Sequence, residues 1–150
     1  MTSDERLRWR DGAEDHLKSI LGETADRSTA SDDLASQISD WPTRYHLDRR
    51  RTNLLRPLHL GPGVRVLDAG AGTGVMSRYA AEAGAAVVAV EGDSRRAGLV
   101  ALRCEGTNVE VRCGAADEVD DADGFDVVLA VGVLEYAAGR PGGAEVFPGR

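Results

Sequence analysis

Several things are scarce in this sequence, and each scarcity closes an option. No stretch approaches the roughly 20 apolar residues that span a bilayer, and the opening MTSDERLRWRDGAEDHLKSI is charged throughout, without the apolar centre of a secretory leader. The expectation is a cytoplasmic chain with no membrane association. There are only two cysteines, Cys104 and Cys113, in neither a C-x-x-C pair nor a zinc spacing. Both fall at apolar-periodic positions, so buried free thiols are expected rather than a disulfide or a metal site. Positive charge is also short: 18 Lys and Arg face 25 Asp and Glu, a formal net charge of −7 with a sequence pI near 4.9. That removes the basic footprint of a nucleic-acid or anionic-membrane binder and favours a small or neutral partner.

The 150 residues suffice for one modest domain. Residues 1–40 differ from the rest: a charged helix is expected over Ser3 to Leu21, weakened by Gly12, then a flexible linker through GETADRSTASDD, too polar to bury much surface. From Trp41, WPTRYHLDRRRTNLLRPLHL places Leu47, Leu54, Leu55 and Leu58 on one face of an expected helix and Arg49, Arg50 and Arg51 on its wet side. Pro57 and the GPG at Gly61 to Gly63 end it.

Strand and helix then alternate. VRVLD (Val64 to Asp68), AVVAVE (Ala86 to Glu91), VEVRC (Val109 to Cys113) and FDVVLAV (Phe125 to Val131) read as buried strands. Between them, Val75, Met76, Tyr79, Ala80 and Ala83 mark one helix face, and Ala97, Val100, Ala101 and Cys104 another, capped by Asp93 or Ser94. Continuous apolar strands joined by helices imply a mostly parallel, doubly wound α/β (Rossmann-like) sheet covered on both faces. There is neither an internal repeat nor a heptad array.

In such a sheet ligands bind beyond the carboxyl ends of the strands, where VLDAGAGTGV sets Gly70, Gly72 and Gly74. Glycines there allow positive φ and let main-chain amides approach a ligand. A dinucleotide fingerprint, G-x-G-x-x-G, is not met, because Val75 stands where its third glycine belongs. Asp68 just ahead of the loop would repel a pyrophosphate and attract an ammonium group. Glu91 ends the second strand, where a carboxylate accepts both ribose hydroxyls, and Asp117 follows the third, where it can accept from an exocyclic purine amine. Its neighbours Glu118, Asp120 and Asp121 offer the alternative of simple turn capping. Tyr45 and His46 either fold over one end of the ligand or serve packing, and His16 and His59 are expected at the surface.

VLDAGAGTG, VVAVEGD, GAADEV and FDVVLAVGVLEYA together resemble the successive cofactor motifs of class I S-adenosylmethionine-dependent methyltransferases, over roughly Tyr45 to Ala138. The resemblance implies S-adenosylmethionine as cofactor. It sets Gly70, Gly72 and Gly74 against the methionine part, Asp68 near its ammonium directly or through water, Glu91 at the ribose and Asp117 at the adenine, with Ala69, Gly92 and Val131 completing the contacts. It also places Gly132 to Tyr136 beside the methyl group; Glu135 as a base and Tyr136 as pocket wall lack motif support, so no catalytic residue is assigned. The lead-in DWPTRYHLDRRRTNLLRPL is similar to bacterial methyltransferases found beside glycosyltransferases in polysaccharide biosynthesis, which suggests a small-molecule or saccharide acceptor.

That class has a seven-stranded sheet of order 3-2-1-4-5-7-6, whereas this sequence supplies strands 3-2-1-4. The expectation is a truncated domain over 41–138, a disordered tail over 139–150, and an open sheet edge available to another polypeptide or to self-association. Two other functions stay open: a non-catalytic nucleoside-binding remnant and, less favoured, a nicotinamide-dependent oxidoreductase.

Overall fold

The computed structural model describes residues 11–120 and 122–133. Its centre is a four-stranded parallel sheet of β1 (Arg65–Ala69), β2 (Ala86–Glu91), β3 (Val109–Cys113) and β4 (Val127–Leu129), in the order β3-β2-β1-β4. The α/β, Rossmann-like architecture is as the alternating pattern implies. β1 and β2 are the middle strands and almost wholly buried, which is why they read as unbroken apolar runs.

Helices α4 (Val75–Glu82) and α5 (Ser94–Arg103) connect β1 to β2 and β2 to β3. Both crossovers run in one direction along the sheet, so both helices lie on the same face. There Val66 and Val87 pack with Met76 and Ala80, and Ala89 with Val100 and Cys104. The opposite face, Leu67, Ala69, Val88 and Val90, is covered among the described residues by Ala116, Val119 and Phe125 of the β3 to β4 connection. The strand order reverses at β1, with β2 and β3 added on one side and the parallel β4 on the other, so the carboxyl ends of β1 and β4 border the crevice where ligands enter such sheets.

Several local expectations are corrected. The first described helix, α1, spans Glu14–Glu23 and begins beyond Gly12, whose φ is +81°. It buries Leu17, Ile20 and Leu21 against Leu34, Leu47 and Leu99, a second apolar core outside the sheet. The polar stretch expected as a flexible linker is docked: Arg27 donates to the Leu21 carbonyl at 2.6 Å and to Glu105 at 2.7 Å, and the Thr29 hydroxyl to Glu82 at 2.5 Å. Ser31 then caps α2 (Asp32–Ser36), which inserts Leu34 into that core. Polar residues hold this segment through hydrogen bonds that hydrophobic periodicity does not register.

The single helix expected after Trp41 is two pieces. α3 (Trp41–Leu47) opens on a reciprocal Asp40–Thr43 capping box and ends at Asp48, whose carboxylate caps a 3-10 helix over Arg49–Leu54. The break rotates the following residues, so Leu47 and Leu55 point inward while Leu54 is 63% exposed. Ala83, which caps the end of α4, and Ala101 of α5 are exposed, whereas Ser77, Arg96, Leu99 and Arg103 are buried. Cys104 is buried, and burial pushes its thiol up to about 12, so it is unreactive. Cys113, on the edge strand β3, is exposed. β4 is shorter than the expected Phe125 to Val131 and leaves Val128 61% exposed. No helix among the described residues is long and apolar enough to cross a membrane. The expected tail, 139–150, lies outside the described residues.

Candidate functional site

β1 delivers the chain to the crevice, and three glycines turn it into α4. Gly70, Gly72 and Gly74 have φ of +81°, +61° and +82°, a region that side chains disfavour. The Gly70 and Ala71 amides both donate to the Val90 carbonyl at 2.9 Å, tying the loop to the end of β2. A Cβ on Gly70 would lie 2.5 Å from the Val133 side chain, and one on Gly74 3.2 Å from the Val100 Cα. At Gly72 a Cβ would meet nothing within 4 Å. The outer glycines therefore serve packing, while the middle one turns bare backbone toward open space.

Glu91, at the tip of β2, reaches the same place. Its Oε2 accepts from the Gly72 amide at 2.7 Å and its Oε1 from the Asp93 amide at 3.0 Å. Burial raises its pKa, and the two amides pull it back. A carboxylate has about four lone-pair positions, so each oxygen keeps capacity for a further donor. Gly92 forms the half-buried bend between Glu91 and Asp93, and Asp93 caps α5 by accepting from the Arg95 and Arg96 amides.

Asp68 sits beneath the loop rather than at its mouth. It is 2% exposed, and its Oδ2 accepts from the Ser77 hydroxyl at 2.6 Å. Burial pushes its pKa up to about 6; the Ser77 bond opposes that, the Glu91 charge adds to it, and Arg51 lowers it. Its influence on a ligand is therefore exerted as a field through the overlying loop, not by contact with an open surface. The folded state holds a proton here that the unfolded chain releases near 3.8, so stability falls as pH rises through the window from about 4 to 6. Asp68→Asn, which keeps an acceptor for Ser77 and loses the charge, should stabilise the protein above pH 6 by about 2–3 kcal/mol. Thermal melts at pH 8 and pH 4 check this: the gain belongs at pH 8 and should vanish at pH 4.

Arg51, assigned by the pattern to a wet helix face, is half-buried and directed at the site. Its Nη1 donates to the Tyr45 carbonyl at 2.8 Å, its guanidinium lies 4.1 Å from the Tyr45 ring centroid, and its charge is felt at Asp68. The break at Asp48 aims it there, and no periodicity signals that break. The Tyr45 hydroxyl is 3.2 Å from where a Cβ of Gly132 would lie, so Tyr45 closes over the carboxyl end of β4. Trp41 stacks on Tyr45 at 5.3 Å from the outer side. His46, paired with Tyr45 in the sequence reading, is instead buried behind the loop.

The structure thus brings together Asp68, the glycine loop, Glu91, Tyr45, Arg51 and Val133. The Ala69 side chain packs on the opposite sheet face, and Val131 joins the helix-side core. Asp117 lies on an exposed 3-10 turn, Ala116–Glu118, just past β3. Asp121, Glu135 and Tyr136 lie outside the described residues.

Residues 66–145 match a family described as methyltransferase domain. Over 86 residues the chain is 36% identical to a ubiquinone biosynthesis O-methyltransferase of Rhizobium etli, covering 55% of this chain and 34% of that protein. Over 89 residues it is 40% identical to an Azorhizobium caulinodans protein of the same name, covering 56% and 33%. The chain thus spans about a third of the length of these curated relatives. A crystal structure of an S-adenosylmethionine-dependent methyltransferase from Geobacter sulfurreducens, in complex with S-adenosyl-L-homocysteine, shares the fold. Its TM-score is 0.53 at 23% identity, over 87% of this chain and 49% of that one.

Proposed function

Starting from a chain that belongs to the methyltransferase domain family of class I S-adenosylmethionine-dependent enzymes, we propose that the crevice binds S-adenosylmethionine for methyl transfer to an oxygen of a small-molecule or saccharide acceptor. The observation that carries this reading is the meeting of the open Gly72 backbone with the buried Glu91 carboxylate, above the charge of Asp68. A dinucleotide pyrophosphate suits that pair of negative charges poorly, whereas a cationic nucleoside suits it well. The names of the Rhizobium and Azorhizobium relatives support oxygen as the methylated atom.

When bound, S-adenosylmethionine supplies a methyl group activated by a positive sulfur for in-line displacement. The residues of this chain bind, orient and exclude water. Glu91 accepts the ribose hydroxyls through its remaining lone pairs, with Gly92 beneath them. The Gly70 to Gly74 loop lies along the methionine part, and the field of Asp68 favours its ammonium. Arg51, beside Tyr45, supplies the cation for the carboxylate end. Asp117, on its turn past β3, is the acceptor for the adenine amine.

Titration calorimetry of the full chain with S-adenosylhomocysteine tests the reading. One site with micromolar affinity is expected, with NAD at least a hundredfold weaker. Equal or tighter NAD binding, or no heat with the homocysteine nucleoside, would sink it. Binding without methyl transfer to any hydroxyl acceptor would identify a nucleoside-binding module instead.

A further inference from the structure

The glycine loop is open in front and braced from behind. Thr73, between Gly72 and Gly74, is buried, and its Oγ1 lies 3.2 Å from Nδ1 of His46. His46 is 1% exposed, and its Nε2 lies 2.6 Å from Oδ2 of Asp11. Asp11 is itself fixed, accepting from the Ala13 amide at 3.1 Å and lying 3.4 Å from Nη2 of Arg96. Buried Arg103 closes the bracket: its Nη1 donates to the carbonyls of His46 at 3.0 Å and Thr73 at 3.2 Å. The loop is thus joined to α3, to α5 and to the segment ahead of α1.

We infer that the Asp11–His46–Thr73 chain, with Arg103, is a positioning device that sets affinity at the glycine loop without touching the ligand. A carboxylate only accepts, so Nε2 of His46 carries the proton toward Asp11 and Nδ1 accepts from the Thr73 hydroxyl. That arrangement fixes the Thr73 rotamer and, through it, the backbone on either side. It holds while the ring is neutral, which burial and the charges of Arg96 and Arg103 favour against the pull of Asp11. Loops that must lie along a ligand gain affinity when their conformation is set beforehand.

The inference rests on the cofactor reading above, and its test separates the two. Thr73→Val keeps the side-chain shape and deletes the hydroxyl, Thr73→Ser restores it, and His46→Gln reaches Asp11 but offers Thr73 no acceptor. Calorimetry with S-adenosylhomocysteine should show about tenfold weaker binding for Thr73→Val and His46→Gln. Thr73→Ser should stay within about threefold of wild type, and the Val and Gln changes combined should lose no more than either alone. If His46→Gln fails to fold, the Val and Ser pair reads the same bond. Nitrogen-15 spectra of labelled histidine should show His46 as the Nε2–H tautomer, with the Nδ1 resonance shifted in Thr73→Val. Wild-type affinity in Thr73→Val, or an Nδ1–H tautomer, overturns the inference and leaves the cofactor reading standing. A wild-type chain that does not bind the nucleoside overturns both.

Discussion

Glu91→Ala is expected to weaken S-adenosylhomocysteine binding by two to three orders of magnitude while leaving the sheet folded. Hydrogen bonds to a charged group contribute about 1.5–3 kcal/mol each, and the proposed site has two ribose hydroxyls donating to this carboxylate. The substitution also frees the amides of Gly72 and Asp93, which now donate to Glu91 at 2.7 and 3.0 Å. Loss of the first loosens the loop, so the effect on binding exceeds that of the ribose contacts alone. Glu91→Gln separates these contributions. Its amide oxygen still accepts from one main-chain amide, but the charge and half of the acceptor capacity are gone, so an intermediate loss of about tenfold is expected. Calorimetry of the three proteins, with circular dichroism as the check on folding, gives the comparison. Affinity in Glu91→Ala within threefold of wild type would remove Glu91 from the site.

The second large effect concerns stability. Leu21→Ala should lower the unfolding free energy by about 2–5 kcal/mol, the range for deleting a fully buried leucine. At this size that corresponds to a fall of roughly 5–15 °C in melting temperature. Leu21 is wholly buried among Leu17, Ile20, Leu34, Leu47 and Leu99, four of which come from elements before the sheet and one from α5. A single cooperative transition shifted by that amount would show that this second core unfolds with the sheet. A loosely attached α1 would instead leave the main transition within about 2 °C of wild type, with a separate low-temperature step.

The parts legible in the sequence are those whose cause is local. β1 and β2 are apolar runs because both their faces are covered, and the loop between β1 and α4 is readable because three positive φ angles demand glycine. Asp93 announces α5 through the capping chemistry of its own side chain. What was not legible depends on partners far along the chain. Arg96 and Arg103 look like the solvent side of an amphipathic helix, yet Glu14 lies 3.1 Å from the first and the carbonyls of His46 and Thr73 hold the second. Such long-range pairing reverses the inside and outside that periodicity assigns. The break at Asp48 is similar: an aspartate inside an apparently helical run caps a tighter turn, and that one residue decides whether Arg51 faces water or the ligand crevice. Asp68 was legible in position but not in mode, because nothing in the motif reveals that Ser77 closes over it.

In the proposed site the connection from β3 to β4 has two duties at once. Ala116, Val119 and Phe125 cover the sheet face opposite α4 and α5, and Asp117 shares a short turn with Ala116. A nucleobase that engages that aspartate consequently pins the cover itself. Deuterium uptake at Leu67 and Val88 should slow on ligand addition, although both sit back from the strand tips, so a covered hydrophobic face becomes a reporter of occupancy beside it.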